Sequence, residues 1–196
     1  MKYLLTITLA LSSLTVAQEL PGWGVYFGGG LGSMAMDAEE GTTIGYEPAL
    51  PFIGVSKGVM LGMPLVVSVG LGKRAYNMEA DLFGSKWTIG SSFDYLDIAA
   101  YMPYPVGPGF AQVGFLYGNP LNTGTMTIDI DGESESEDVD DLDMDADYGL
   151  ILAYGYPVSE KINVNAGYYL GLADHGDSES GAMKFNGLFL FLGYNF

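Results

Sequence analysis

Lys184-Phe185-Asn186-Gly187-Leu188-Phe189-Leu190-Phe191-Leu192-Gly193-Tyr194-Asn195-Phe196 ends the sequence. Counting in twos collects Leu188, Leu190, Leu192, Tyr194 and Phe196, while Gly187, Phe189, Phe191, Gly193 and Asn195 fall between them. Side chains alternate across a strand. The segment therefore predicts one wholly apolar face tipped with aromatics and a second face of Gly, Asn and two Phe. That division suits a strand with hydrocarbon on one side and a packed, partly polar interior on the other.

The opposite end agrees. Met1-Lys2, the apolar run Tyr3 to Leu11 and the small-residue site Thr15-Val16-Ala17 read as a secretory signal peptide over 1–17, leaving 18–196 as one domain. The apolar run is shorter than the ~20 residues a spanning helix needs. With no Cys in the sequence, neither a cysteine-linked lipid anchor nor a disulfide framework is expected. The 29 Gly, 14 Tyr and 10 Phe fit a barrel in which small residues relieve interior crowding and aromatics form girdles.

The net charge of −17 excludes a broad basic footprint for nucleic acid. Eleven of the 24 acids lie between Asp129 and Asp147. Such a run cannot face hydrocarbon, so an acidic, solvated external loop is expected over about 122–145.

Eight stretches carry the two-residue period between turn signals. In Ile162–Ala173 the apolar series Ile162, Val164, Ala166, Tyr168, Leu170, Leu172 opposes Asn163, Asn165, Gly167, Tyr169, Gly171. Tyr148–Tyr156 behaves similarly, with its tyrosines at the ends, where a ring can stay in apolar surroundings and its hydroxyl in water. Trp23–Leu31, Leu65–Leu71, Trp87–Tyr101 and Phe110–Tyr117 follow the same rule. Ile44–Val55 is interrupted by Pro48 and Pro51, which predicts a bulge or an edge-like irregularity there. The links 57–64, 102–109 and 157–161 are short, whereas 37–43, 79–86, 122–145 and 174–183 are longer or polar. They alternate as periplasmic turns and external loops must. The fold class is an all-β, eight-stranded, antiparallel up-and-down transmembrane barrel.

Parity along Leu65–Leu71 turns Arg74 inward with Gly70 and Gly72, and along the next strand it turns Tyr95, Asp97, Ala99 and Tyr101 inward. A buried charge persists only with a partner, so an Arg74–Asp97 pair is expected. Eight strands leave an interior just wide enough for side chains; Tyr26, Phe189 and Phe191 are expected to help fill it.

Three groupings bear on chemistry. The run from Asp129 opens D-x-D-G-E, but position twelve, counting Asp129 as one, is Asp140 rather than Glu, so it departs from a helix-flanked calcium loop. Loose divalent-cation association bridging to lipopolysaccharide suits it better. Asp174, His175, Asp177 and Ser178 supply triad residue types, yet near-consecutive loop residues do not converge on one point. The glycine runs at 28–32 and 70–72 lie within strands rather than opening a helix, so they do not read as phosphate loops. No catalytic, cofactor-binding or metal residues are assigned.

The aromatic ending resembles the closing strand of bacterial outer-membrane barrels, whose final Phe is part of the signal read by the barrel insertion machinery. Phe93–Tyr104, Pro108–Gly118, Asp147–Tyr156 and Asn163–Leu172, together with that ending, resemble the PorT-type outer-membrane β-barrel domain of Bacteroidetes and related phyla. Ala99 stands where that family's Y-L-E-I-P pattern has Pro. The resemblance implies an outer-membrane location and, for a few members, a part in protein secretion or gliding. The expectation is a monomeric, non-enzymatic barrel of the outer membrane, in contact with lipid and lipopolysaccharide, with a structural, adhesive or surface-interaction role and a surface or periplasmic protein partner. An accessory component of a secretion or envelope assembly complex, a hydrolase with His175 as base, and a narrow channel are the alternatives.

Overall fold

The computed structural model describes residues 22–36, 41–82, 84–176 and 181–196; the leader read over 1–17 lies outside them. The strands in chain order are β1 (Trp23–Ala35), β2 (Thr42–Gly45), β3 (Glu47–Met60), β4 (Pro64–Leu82), β5 (Ser85–Val106), β6 (Gly109–Ile130), β7 (Glu133–Val139), β8 (Asp147–Pro157), β9 (Ile162–Gly171) and β10 (Lys184–Asn195). All pairings are antiparallel, and eight strands close a ring in the order β1-β3-β4-β5-β6-β8-β9-β10 and back to β1. The chain is therefore an all-β up-and-down barrel. The other two strands extend it: β2 lies on β4 beyond β3, and β7 on β6.

Closure is carried by the quoted ending. Val25 pairs with Tyr194, Phe27 with Leu192 and Leu31 with Leu188, so β1 and β10 turn their apolar series to the same outward side. Phe27 and Leu192 are 59% and 56% exposed, an unusual state for large apolar groups unless hydrocarbon covers them. Trp23, Tyr154, Tyr156, Tyr194 and Phe196 rim this band at the end where Trp23 and Phe196 lie; we call it the terminal end. Tyr117 and Tyr148 stand toward the opposite end, and all seven are exposed.

The prolines act as expected. Gly28 pairs with Phe52 and Gly30 with Ala49, so Leu50 and Pro51 together oppose Gly29, the two-against-one count of a bulge.

The acidic segment is built differently from the solvated loop read over about 122–145. Its acids from Asp131 to Asp145 are solvent-exposed, but β6 continues through it to Ile130 and turns back as β7. Across a register break between Phe93/Gly124 and Tyr95/Pro120, β6 changes partner. Gly118 still pairs with Asp147 of β8, whereas Gly124 pairs with Val139 of β7. Asn122 sits in the break with φ 59°. The ladder has a physical basis in T-M-T-I-D-I, whose four β-branched residues, Thr125, Thr127, Ile128 and Ile130, favour a strand while the carboxylates project into water. The link read over 79–86 likewise shortens to a tight turn, since β4 runs to Leu82 and pairs it with Ser85.

Candidate functional site

Inside the barrel, away from the terminal end, charge is concentrated at one level. Arg74 on β4 and Asp97 on β5 face inward as their parity predicts, and the guanidinium grips the carboxylate with both ends: Nη2 donates to Oδ1 at 2.8 Å and Nη1 to Oδ2 at 3.2 Å. Paired donors matched to paired acceptors make the strong form of this contact. The third nitrogen, Nε, donates to Asp147 Oδ2 at 2.5 Å. Asp147 has no solvent exposure. Its Oδ2 also accepts from the Tyr169 hydroxyl at 2.7 Å, and its Oδ1 lies 3.4 Å from His175 Nε2. The rings of Tyr95 and Tyr169 each lie 4.9 Å from the guanidinium carbon, where a cation is attracted to the ring face.

Glycine makes room for this packing. A methyl group at Gly118 would lie 2.8 Å from Arg74 Nη2 and from Asp97 Oδ1, closer than carbon can approach either. Beyond the ion cluster lies an aromatic layer. Phe185, 1% exposed, packs against His175 at 4.8 Å, Phe93 at 6.0 Å and Tyr76 at 6.2 Å between ring centroids, with Met34 in the same cluster.

On the other side of the cluster is a cavity of about 460 Å³. Arg74 and Asp97 line it at one end and Ser159 and Glu160 at the other. Tyr26, Phe189 and Phe191 stand in its wall, as expected of lumen-filling residues, but they leave it open.

Of the residues singled out from the sequence, Arg74 and Asp97 are brought together. Asp147, assigned to the end of the acidic run, belongs to the lumen instead. Its position one residue before the outward Tyr148 was the signal that could have placed it. His175, read from the sequence only as one of several near-consecutive loop residues, has its side chain 6% exposed and reaches Asp147. Its neighbour Asp174 turns elsewhere, accepting backbone N–H bonds from Gly176 and Met183 at 3.1 and 2.9 Å. These two donors hold its carboxyl below the ordinary carboxylate range. Asp177 and Ser178 lie outside the described residues. Among the described residues, no three His, Asp or Glu side chains converge to hold a metal. Along β7 the reason is plain: same-face residues of a strand are ~7 Å apart, which spreads Glu133, Glu135 and Glu137.

Chemically, the cluster is an ion-pair network that blocks the lumen. Two carboxylates meet one guanidinium, and His175 Nε2 stands beside the second of them.

No family model matches the chain, and no curated protein does. Solved structures similar in fold include Ail, the attachment invasion locus protein of Yersinia pestis, at 14% identity, covering 90% of this chain and 99% of that one with a TM-score of 0.48. Neisserial surface protein A aligns at 11% identity over 89% of this chain and 97% of that one, with a TM-score of 0.44. The outer membrane protein OprG of Pseudomonas aeruginosa aligns at 14% identity over 90% and 97%, with a TM-score of 0.39.

Proposed function

We propose that this chain is a non-enzymatic, integral outer-membrane β-barrel protein that holds an acidic sheet on the cell surface, with a structural, adhesive or surface-interaction role. The observation that carries this reading is the extension of β4, β5, β6 and β7 past the apolar band. Leu65, Val67, Val69 and Leu71 lie on the outward side of β4, yet the strand runs on to Leu82. At its far end Lys86 Nζ pairs with Glu79 at 2.8 Å, and the Lys86 amide donates to Asp131 Oδ1 at 3.0 Å. A polar, ion-paired ladder beyond a greasy belt belongs in water, and a lumen crossed at one level by ion pairs favours anchorage over passage. The terminal end then faces the periplasm, where short turns belong, and the aromatic closing strand is the part offered to the insertion machinery.

A protease specific for Glu tests the orientation. Added to intact cells, it is expected to cut at Glu133–Glu137 and to spare Glu160 in the opposite turn. Cutting at Glu160 in intact cells, or at neither site until the outer membrane is opened, contradicts the reading. Loss of cell-surface attachment on removal of β7 would supply the adhesive part.

The PorT-type resemblance of Phe93–Tyr104 and Asn163–Leu172 favours a second reading, an accessory component of a secretion or envelope assembly complex. Co-purification of periplasmic or inner-membrane proteins after crosslinking in cells separates it from the first.

A further inference from the structure

The lumen cavity has a lining that neither anchorage nor surface contact uses. At about 460 Å³ it falls in the range of small-molecule sites, roughly 300–1,000 Å³. Its reach to Ser159 and Glu160 places its mouth at the terminal end. Among the described residues four charged ones line it, and three of these are already paired. Arg74 and Asp97 satisfy each other, Lys73 is paired with Asp94 at 2.6 Å, and Glu160 is exposed in the turn at the mouth.

What the cavity does offer is neutral. Gln112 and Asn165, 4% and 2% exposed, meet across the intervening strand β8, with Gln112 Nε2 donating to Asn165 Oδ1 at 2.9 Å. Asn165 Nδ2 donates in turn to Asn163 Oδ1. A primary amide has two donors and a carbonyl with two lone pairs, so this chain fixes the amide orientations while leaving capacity on each. Beside it stands an aromatic wall. Phe191 is directly across the ladder from Asn165 and lies 5.5 Å from Tyr26 and 5.6 Å from Phe189 between ring centroids.

Fixed amides next to flat, half-buried rings suit a molecule with hydroxyls at its edge and C–H groups on its face. We propose that the barrel binds a small neutral saccharide in this cavity, entering from the terminal end, with Gln112 and Asn165 hydrogen-bonding its hydroxyls and the Tyr26–Phe191–Phe189 wall packing against its ring. Water alone would satisfy the amides but would gain nothing from the apolar faces of the aromatic wall.

The test uses the ¹⁵N-labelled full barrel in lipid nanodiscs, following the side-chain amide resonances of Gln112 and Asn165. Maltose is expected to move both with millimolar affinity, while glucuronate and glucosamine, carrying a charge the cavity cannot pair, bind at least about tenfold more weakly. Asn165→Leu is expected to weaken maltose by about tenfold, and heat-modifiable gel migration reports whether that variant is folded. If it is not, the wild-type comparison of maltose with hexanol decides. Movement by hexanol and not by maltose would make the site apolar and overturn the proposal, and movement by neither would leave the cavity filled by water and overturn it equally.

Discussion

Arg74 and Asp147 are 73 positions apart in the chain, and their side chains meet at 2.5 Å inside the barrel. β4 brings the guanidinium and the first residue of β8 brings a carboxylate with no solvent exposure. Neither charge could stay there alone, because removing one partner of a buried ion pair strands the other in a low-dielectric interior.

Arg74→Ala is therefore expected to destabilise the folded barrel by about 3–5 kcal/mol, read as a shift in the urea midpoint of unfolding from lipid bilayers. Adding Asp97→Asn and Asp147→Asn to the same chain should recover most of the loss. A single-variant loss that the triple variant does not relieve would mean that packing, and not charge, is what Arg74 supplies.

Tyr169→Phe removes one of the donors to the buried Asp147 carboxylate and keeps the ring over the guanidinium. A loss of about 1–3 kcal/mol is expected, smaller than that of Arg74→Ala. An unchanged midpoint would show that the hydroxyl is not needed there.

Gly118→Ala places a methyl group among Arg74, Asp97 and the Tyr95 ring. Overpacking of this kind costs about 1–3 kcal/mol. Gly132→Ala, at the exposed turn before β7 where nothing lies within 4 Å, has only its positive φ of 92° to contend with, and should leave the barrel's own unfolding midpoint unmoved.

The contact of Asp174 with the amides of Gly176 and Met183 depends on the carboxylate. Its carboxyl is held below the ordinary value by those two bonds, and the unfolded value is about 3.9. The contact thus contributes its full share above the unfolded value and is lost as pH falls through the lower folded one. The amide proton shifts of Gly176 and Met183 should titrate together with a midpoint under about 3.9; a midpoint at or above that value would show the bonds absent in solution.

Replacing 125–141 with a short Gly-Ser turn should leave the barrel folded, since β7 pairs with β6 and with no other described strand. Unboiled and boiled samples should still migrate differently on a gel, because a closed ring has no free edge at which to open. Identical migration would mean that the outer hairpin is required for closure.

The barrel was legible in the sequence wherever one face of a strand meets an apolar surround. In β9 and β10 every second residue is apolar, and the ladder pairs Leu190 with Ala166 and Leu192 with Val164 on that side. Legibility fails past the apolar band. The outer halves of β4, β5 and β6 have water on at least one side, so no sharp alternation marks them, and the acids from Asp129 onward hide a hairpin under a loop-like composition. The Arg74–Asp97 pair followed from parity on adjacent strands. The Asp147–His175 contact joins a strand start to a loop 28 positions away. Loop residues carry no parity, so nothing in local sequence fixed the direction of His175.

A closed ring of strands that turns its outer skin to lipid can be read out with nitroxide labels walked along β10 in a bilayer. At Leu188, Leu190 and Leu192 high accessibility to oxygen dissolved in lipid and low accessibility to a water-soluble nickel chelate are expected; at Phe189 and Phe191 low oxygen accessibility is expected. Equal oxygen accessibility at all five positions, or free access of the chelate to Leu190, would contradict it.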